Sequence, residues 1–254
     1  MNQFRINSLR QLIINSPVNS IKDLSLWIEN TQIESFIESE AVDGTLITQW
    51  YDINKLTSYK PTITSANGRA TYRSNGINSL PALYFNGSGW FDINFSVTNS
   101  NTKTIFAVIK NQNTNQRNYI FDNDTCTQFC FIIESNTSTA GHMHNGASLL
   151  QGSFQLQKPY VVTLVYNGTN SFFRNNGVQN NAGNTGTNPM LSNINLGNSC
   201  QPLYYSEGFI GYIGEFIVFD RVLKTDEYLE VEKYLSTKEL DFLKIFISKI
   251  LSLP

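Results

Sequence analysis

Residues 160–178 read YVVTLVYNGTNSFFRNNGV, and this stretch decides the fold class. An apolar run, YVVTLVY, enters the polar turn Asn167-Gly168-Thr169-Asn170, and SFFRNNGV returns from it. Aromatic and β-branched side chains suit a pleated surface. Asn-Gly pairs tolerate the positive φ that tight hairpin turns need. The pattern therefore predicts an antiparallel hairpin. On its first strand Val161, Thr163 and Val165 share one side, and Val162, Leu164 and Tyr166 the other. A strand that is apolar on both sides has to be covered on both. TIFAVIK (104–110) and FIGYIGEFIVF (209–219) read the same way, so either something besides a facing sheet lies over them or their outer faces are only partly wet.

Working outward, runs of this kind recur between Asn/Gly clusters. Strands are predicted at 24–28, 46–50, 82–85, 90–93, 104–110, 119–121, 128–134, 160–166, 171–174, 193–197 and 209–219. Asn86-Gly87 and Asn176-Gly177 mark two more turns, and 175–188 reads as a long Gly/Asn/Thr-rich loop. After residue 220 the period changes. Thr225 reads as an N-cap, with Asp226 and Glu227 favouring the helix dipole. Tyr228, Leu229, Val231, Tyr234 and Leu235 then form a helical stripe. The expected layout is an N-terminal extension over 1–20, one β-sandwich over 21–240, and an apolar tail over 241–254. That tail, DFLKIFISKILSLP from Asp241, reads as a docking helix, an interfacial helix or an extra strand.

Composition bounds the partners. With 254 residues, 41% hydrophobic and 13% aromatic, the chain can bury a large core. Charged residues make up 15% and the net charge is -2, which leaves no basic footprint for nucleic acid. No run reaches the roughly 18 apolar residues of a membrane span. Leu12-Ile13-Ile14 is too short for the core of a signal peptide. Cys126 and Cys130 would lie roughly 13 Å apart along one strand, too far to bridge without a turn, so they read as buried free thiols.

Three segments carry a resemblance. LSLWI (24–28), DGTLITQWYDIN (43–54) and ATYRSNGINSLPALYFNGSGWFDI (70–93) resemble an opening Trp strand followed by W-x-D and PAL-x-F-x-G segments. The 160–178 hairpin is similar to a central hairpin ending in NG. GFIGYIGEFIVFDRVLKTDEYLEVEKYL (208–235) is similar to a closing strand leading into a helix. Together they resemble the concanavalin A-like lectin/glucanase superfamily, in particular the laminin-G-like domains of bacterial and phage surface proteins. The resemblance implies an all-β, two-sheet antiparallel β-sandwich (jelly roll) with a short C-terminal helix. It implies little about ligand, because this fold hosts many functions.

Site residues follow from chemistry. Superfamily glycosidases resemble one another in an E-x-D-x-E strand for retaining hydrolysis, and no such string occurs here. Glu215, set in an apolar strand, reads as a structural carboxylate bound by backbone or Arg221. Exposed aromatics beside amides suit sugar, since ring faces stack on pyranose CH groups while amides bind hydroxyls. Tyr119 with Asn118, and Tyr204 and Tyr205 with Gln201, are the candidates, and Trp90 is a weaker one. Asp122, Asn123 and Asp124 offer hard oxygen ligands suited to calcium, the one cofactor expected, though the run reads first as an ordinary Asx turn. His142 and His144 alternate, as a two-imidazole metal site would require, but Gly141 and Gly146 bracket them as a loop without a third ligand.

These features lead to the expectation of a non-enzymatic carbohydrate-binding or adhesion module on a cell surface, pilus-like assembly or virion. Its partner would be a glycan or another protein of that assembly. A structural or decoration protein, or a diverged glycosidase or lyase, is the alternative.

Overall fold

A computed structural model describes residues 16–31, 35–54, 62–63, 70–94, 101–112, 116–123, 129–134, 140–146, 149–189, 193–200 and 207–250. It is a two-sheet antiparallel β-sandwich with one long C-terminal helix. The strands are β1 (Leu24–Glu29), β2 (Thr62–Ile63), β3 (Thr71–Ile77), β4 (Leu80–Asn86), β5 (Phe91–Asn94), β6 (Lys103–Asn111), β7 (Asn118–Asn123) and β8 (Phe129–Ile133). They continue with β9 (Ala140–Asn145), β10 (Leu149–Ser153), β11 (Pro159–Tyr166), β12 (Ser171–Asn175), β13 (Val178–Gly183), β14 (Asn193–Leu196) and β15 (Ile210–Phe219), and α1 (Thr225–Ile250) follows. The first sheet runs β13-β12-β11-β6-β15-β4-β3, with β1 also on β15; the second runs β10-β9-β8-β7-β14-β5-β2.

The predicted central hairpin is β11 and β12, with Val162 across from Asn175 and Val165 across from Phe172. Asn176 and Gly177 both take positive φ, 48° and 78°, so the chain turns at once into β13. The loop expected over 175–188 therefore contains a strand. Its side chains are exposed, and an edge strand with no buried face leaves no period-2 signal in the sequence. The strand expected at 46–50 is replaced by isolated bridges, Leu46 pairing with Thr71 and Gln49 being the other bridge residue. Gly141 and Gly146 do not make a loop of the histidine pair: His142 and His144 lie on β9.

Between the sheets lies a core of Phe85, Phe91, Ile105, Phe121, Phe129, Phe131, Leu164, Phe173 and Phe216, among others, all fully buried. Trp50 and Phe91 meet edge to face in it. A second core covers the outer face of the first sheet, where Trp27, Phe106, Val108, Ile217 and Phe219 pack under Val231, Tyr234 and Leu235 of α1, with Val18 and Ile21 beside them. This helix is the cover that the doubly apolar strands demanded. Thr225 opens the helix rather than capping it, because Glu227 reaches back to accept from the Lys224 amide and takes Arg221 on both oxygens.

The helix also carries charge into that layer. Glu29 and Glu215 stand directly across β1 and β15, an arrangement that repels. Lys238 of α1 reaches both, at 3.0 and 2.9 Å. Trp27 Nε1 donates to Glu215 at 2.7 Å, and Ser35 donates to Glu29. Burial pushes Lys238 down, but the two carboxylates outweigh it and hold the ammonium well above its usual range. Burial, with Glu29 opposite, pushes Glu215 up against the pull of Lys238. Glu215 is thus structural, as expected, with Lys238 and Trp27 rather than Arg221 as its partners. No helix among the described residues is long and apolar enough to cross a membrane.

Candidate functional site

The helix α1 covers the outer face of the first sheet, whereas the outer face of the second carries a row of polar side chains, several of them buried. Alternation sends Phe129, Phe131 and Ile133 of β8 inward, so Cys130, Ile132 and Glu134 face outward. Register then aligns a row across the sheet. His144 on β9 stands opposite Cys130, Cys130 opposite Asp122 on β7, Asp122 opposite Asn195 on β14, and Asn195 opposite Asp92 on β5. Neighbouring members are about 4.8 Å apart, the spacing between strands. Trp90 donates to Asp92 at 3.0 Å. One step along, His142 stands opposite Ile132 and Gln151, and Tyr119 is also opposite Ile132.

A charged cluster closes the Tyr119 end. Arg117 meets Glu134 at 3.1 Å and Glu207 at 3.7 Å. Glu207 is brought there because the following residue, Gly208, bridges to Tyr119. A Cβ on Gly208 would sit 2.0 Å from the Gly87 carbonyl oxygen, so only glycine allows this approach.

Asp122 is the distinctive member. It is 4% exposed, its Oδ2 accepts from the Cys200 amide at 3.0 Å, and its Oδ1 has no hydrogen-bond partner among the described residues. Burial raises its pKa to about 7, aided by Glu207 and opposed by the Cys200 and Asn123 amides. A carboxyl left partly protonated near neutrality can donate a proton or a hydrogen bond. Burial likewise pushes the His142 imidazole down, and its Nδ1 is buried without a partner. Tyr119 is pushed up by burial and by Cys130, Glu207 and Asp122.

The predicted residues are distributed as follows. Tyr119 and Asp122 come together on this face. Asn118 is buried, donating to the Gln116 carbonyl and accepting from the Ile210 amide, and so ties β7 to β15. Asn123 is buried beside Asp122. Gln201, Tyr204, Tyr205 and Asp124 lie outside the described residues. No group of three metal-ligating side chains occurs among the described residues. Cys130 is a buried free thiol, as expected; Cys126 lies outside the described residues, and Cys200 is disulfide-bonded. Sequence reasoning missed Asn195, Asp92, Glu134 and Glu207. Only strand alternation at residues 130–134 hinted at one of them.

No family model matches the chain, and no curated protein matches it. Its fold does match solved structures. The sialidase of Trypanosoma rangeli superposes with a TM-score of 0.56 at 17% identity, over 85% of this chain and 33% of that one. Domain 4 of AbnA, a GH43 extracellular arabinanase from Geobacillus stearothermophilus solved in complex with arabinotriose, gives 0.59 at 13%, over 84% and 98%. A GH54 α-L-arabinofuranosidase gives 0.57 at 15%, over 76% and 51%. The chain thus spans about a third of the sialidases it matches. At these identities the likeness is one of fold.

The expectation of a non-enzymatic binding or adhesion module finds no support in these neighbours, which are glycoside hydrolases or a domain of one. The missing E-x-D-x-E string was a poor reason to exclude hydrolysis. A sheet gathers carboxyls across strands, as it does Asp122 and Asp92 on either side of Asn195, and no string within one strand can show that.

Proposed function

We propose that this chain is a glycosidase-type domain, working within a glycan-hydrolysing protein and receiving the glycan on the outer face of its second sheet. The observation that carries this reading is Asp122, a buried carboxyl titrating at about 7 with an unpartnered oxygen and a second acidic side chain, Glu207, within Coulombic reach. Glycoside hydrolysis asks for a carboxyl of raised pKa that protonates the leaving oxygen, together with a second carboxylate. Asp122 takes the first part and Glu207 the second. Glu29 and Glu215 are unsuited, being buried and held by Lys238.

Two further features support the reading. Tyr119, Trp90, Asn195 and Gln151 supply the aromatic and amide chemistry that sugars favour, and the laminin-G-like segments read from the sequence suit a sandwich of this type. The disulfide at Cys200 favours an oxidising compartment, in keeping with a cell-surface or extracellular place.

The test is release of reducing sugar from arabino-oligosaccharides and sialosides by the purified chain. Turnover is expected, with Asp122→Asn lowering it by roughly 10²-fold or more. Glycan binding without turnover would remove the catalytic role of Asp122, leaving a domain that serves a catalytic centre elsewhere in a longer protein. Neither binding nor turnover would sink the proposal.

A further inference from the structure

We propose that β13 is a docking edge for a second copy of this chain, the two β13 strands pairing antiparallel across a twofold axis so that two first sheets become one. The inference stands apart from the glycan-receiving face, which belongs to the second sheet.

β13 ends the first sheet, with no strand on its outer side among the described residues. A strand in that position presents backbone donors and acceptors that a further strand can take up. Its residues, VQNNAG, are exposed up to the half-buried Gly183. The Ala182 amide donates to Asn181 Oδ1 at 2.8 Å in an exposed setting, a bond that the carbonyl of an incoming strand can replace at little cost. Edge strands are usually guarded by charge, by proline or by a covering loop. The opposite edge of this sheet is guarded so: residues 44–47 bond to the backbone of Ala70 and Tyr72, and Asp43 pairs with Arg73 at 3.7 Å. β13 carries neither charge nor proline, and no charged residue occurs from 175 to 206. Its one guard is the bulge opposite Phe173 and Arg174, which shortens a pairing without blocking it.

Charge argues for a second copy as the occupant. A strand that pairs with itself brings its own charges together, and like charges across strands repel; β13 has none to bring. Amides and small residues meet in every register, and a twofold pairing closes because one patch serves both partners. Exposed apolar side chains flank the edge, Val178 at 64% and Leu229 at 43%. Leu229 is placed by its neighbours on α1. Tyr228 lies 5.6 Å from the Phe172 ring and Glu232 holds Arg174, both on β12, the strand beside β13. At 3.6 residues per turn Leu229 lies about 60° round the helix from Glu232, on that same flank and further from the sheet. The twofold operation brings two such rims to one junction, where burial of apolar surface adds to the strand pairing. A strand of this length, about 20 Å, buries less than the roughly 800 Å² per partner of stable complexes, so the association is weak and grows with concentration.

The experiment is sedimentation velocity on the whole chain from about 10 μM to about 500 μM. The mass is expected to rise from one chain towards two. The double variant Gln179→Lys, Asn181→Lys sets like charges on the facing strands and is expected to weaken the pairing roughly tenfold or more while keeping its circular dichroism spectrum. Gln179→Glu, Asn181→Glu is expected to do the same alone, and an equimolar mixture of the two variants to pair again, which general damage to the fold would not produce. In the native chain, amide hydrogen exchange over residues 178–183 is expected to slow at the higher concentration. A native chain that stays monomeric throughout, a dimer that persists in the Lys variant, a mixture of folded variants that fails to pair, or unchanged exchange over 178–183 in the dimer overturns the inference. Exchange there that slows only when arabinotriose is added, in a chain still monomeric, assigns the edge to a glycan and overturns the pairing.

Discussion

Asp122 shows what one residue contributes when the fold removes its water. Its ordinary pKa of 3.8 becomes about 7, so ionising it in the folded state costs more than in the unfolded chain. The sign follows from linkage: a carboxyl raised on folding favours the folded state at pH below 4, and that advantage is lost as pH rises towards 7. Asp122→Asn lacks the titration. The variant is expected to match the parent near pH 4 and to exceed it above pH 7, by at most about 4 kcal/mol. Denaturant midpoints at pH 4, 6 and 8 check this; a difference independent of pH would rule out the buried, titrating carboxyl. Little of this was legible beforehand. Phe121-Asp122-Asn123-Asp124 reads as a run of cation ligands or an Asx turn, but the sequence shows neither the burial nor the neighbours that set a pKa.

At the scale of the element, α1 works as a lid on the first sheet and as a source of charge beneath it. Its apolar stripe was readable from the spacing of Tyr228, Val231, Tyr234 and Leu235, and so was the need for a cover. Lys238 was not readable, since it lies 209 residues from Glu29 in the chain. Lys238→Ala would leave Glu29 and Glu215 facing each other without their cation. Breaking a buried ion pair by removing one partner costs about 3–5 kcal/mol, and urea unfolding at pH 8 should show a loss of that order. Glu215, already pushed up by burial, protonates more readily, so the loss should shrink at pH 5. In the native chain the Lys238 contribution persists at neutral pH and fades only as pH climbs past 10.5 towards its raised value. The Glu29 contribution fades as pH falls below 4.5, because burial is outweighed there by Lys238 and Thr31. An unchanged urea midpoint in Lys238→Ala would refute the ion network.

At the scale of the molecule, the two sheets close on one another where β10 meets β12. Gly152 makes this possible: a Cβ there would sit 1.8 Å from the Phe173 ring. Gly141 does the same on β9, with 2.1 Å to the Phe154 ring. Gly152→Ala is expected to cost roughly 1–3 kcal/mol through overpacking, whereas Asn180→Ala on the exposed β13 should stay within about 0.5 kcal/mol. Thermal melts of both variants compare the two directly, and equal midpoints would refute the close approach.

The sequence by itself determined the strand-rich sandwich, the position of its central hairpin, the inward aromatics and the helix that follows the last long strand. Those properties come from alternation, turn residues and helical spacing, which act over a few residues. Only the tertiary structure decided that His144, Cys130, Asp122, Asn195 and Asp92 form one row, and that Lys238 sits between two glutamates. Strand order and register place residues far apart in the chain side by side. That neighbourhood, rather than the identity of any one residue, sets exposure, charge and hydrogen bonding at the site.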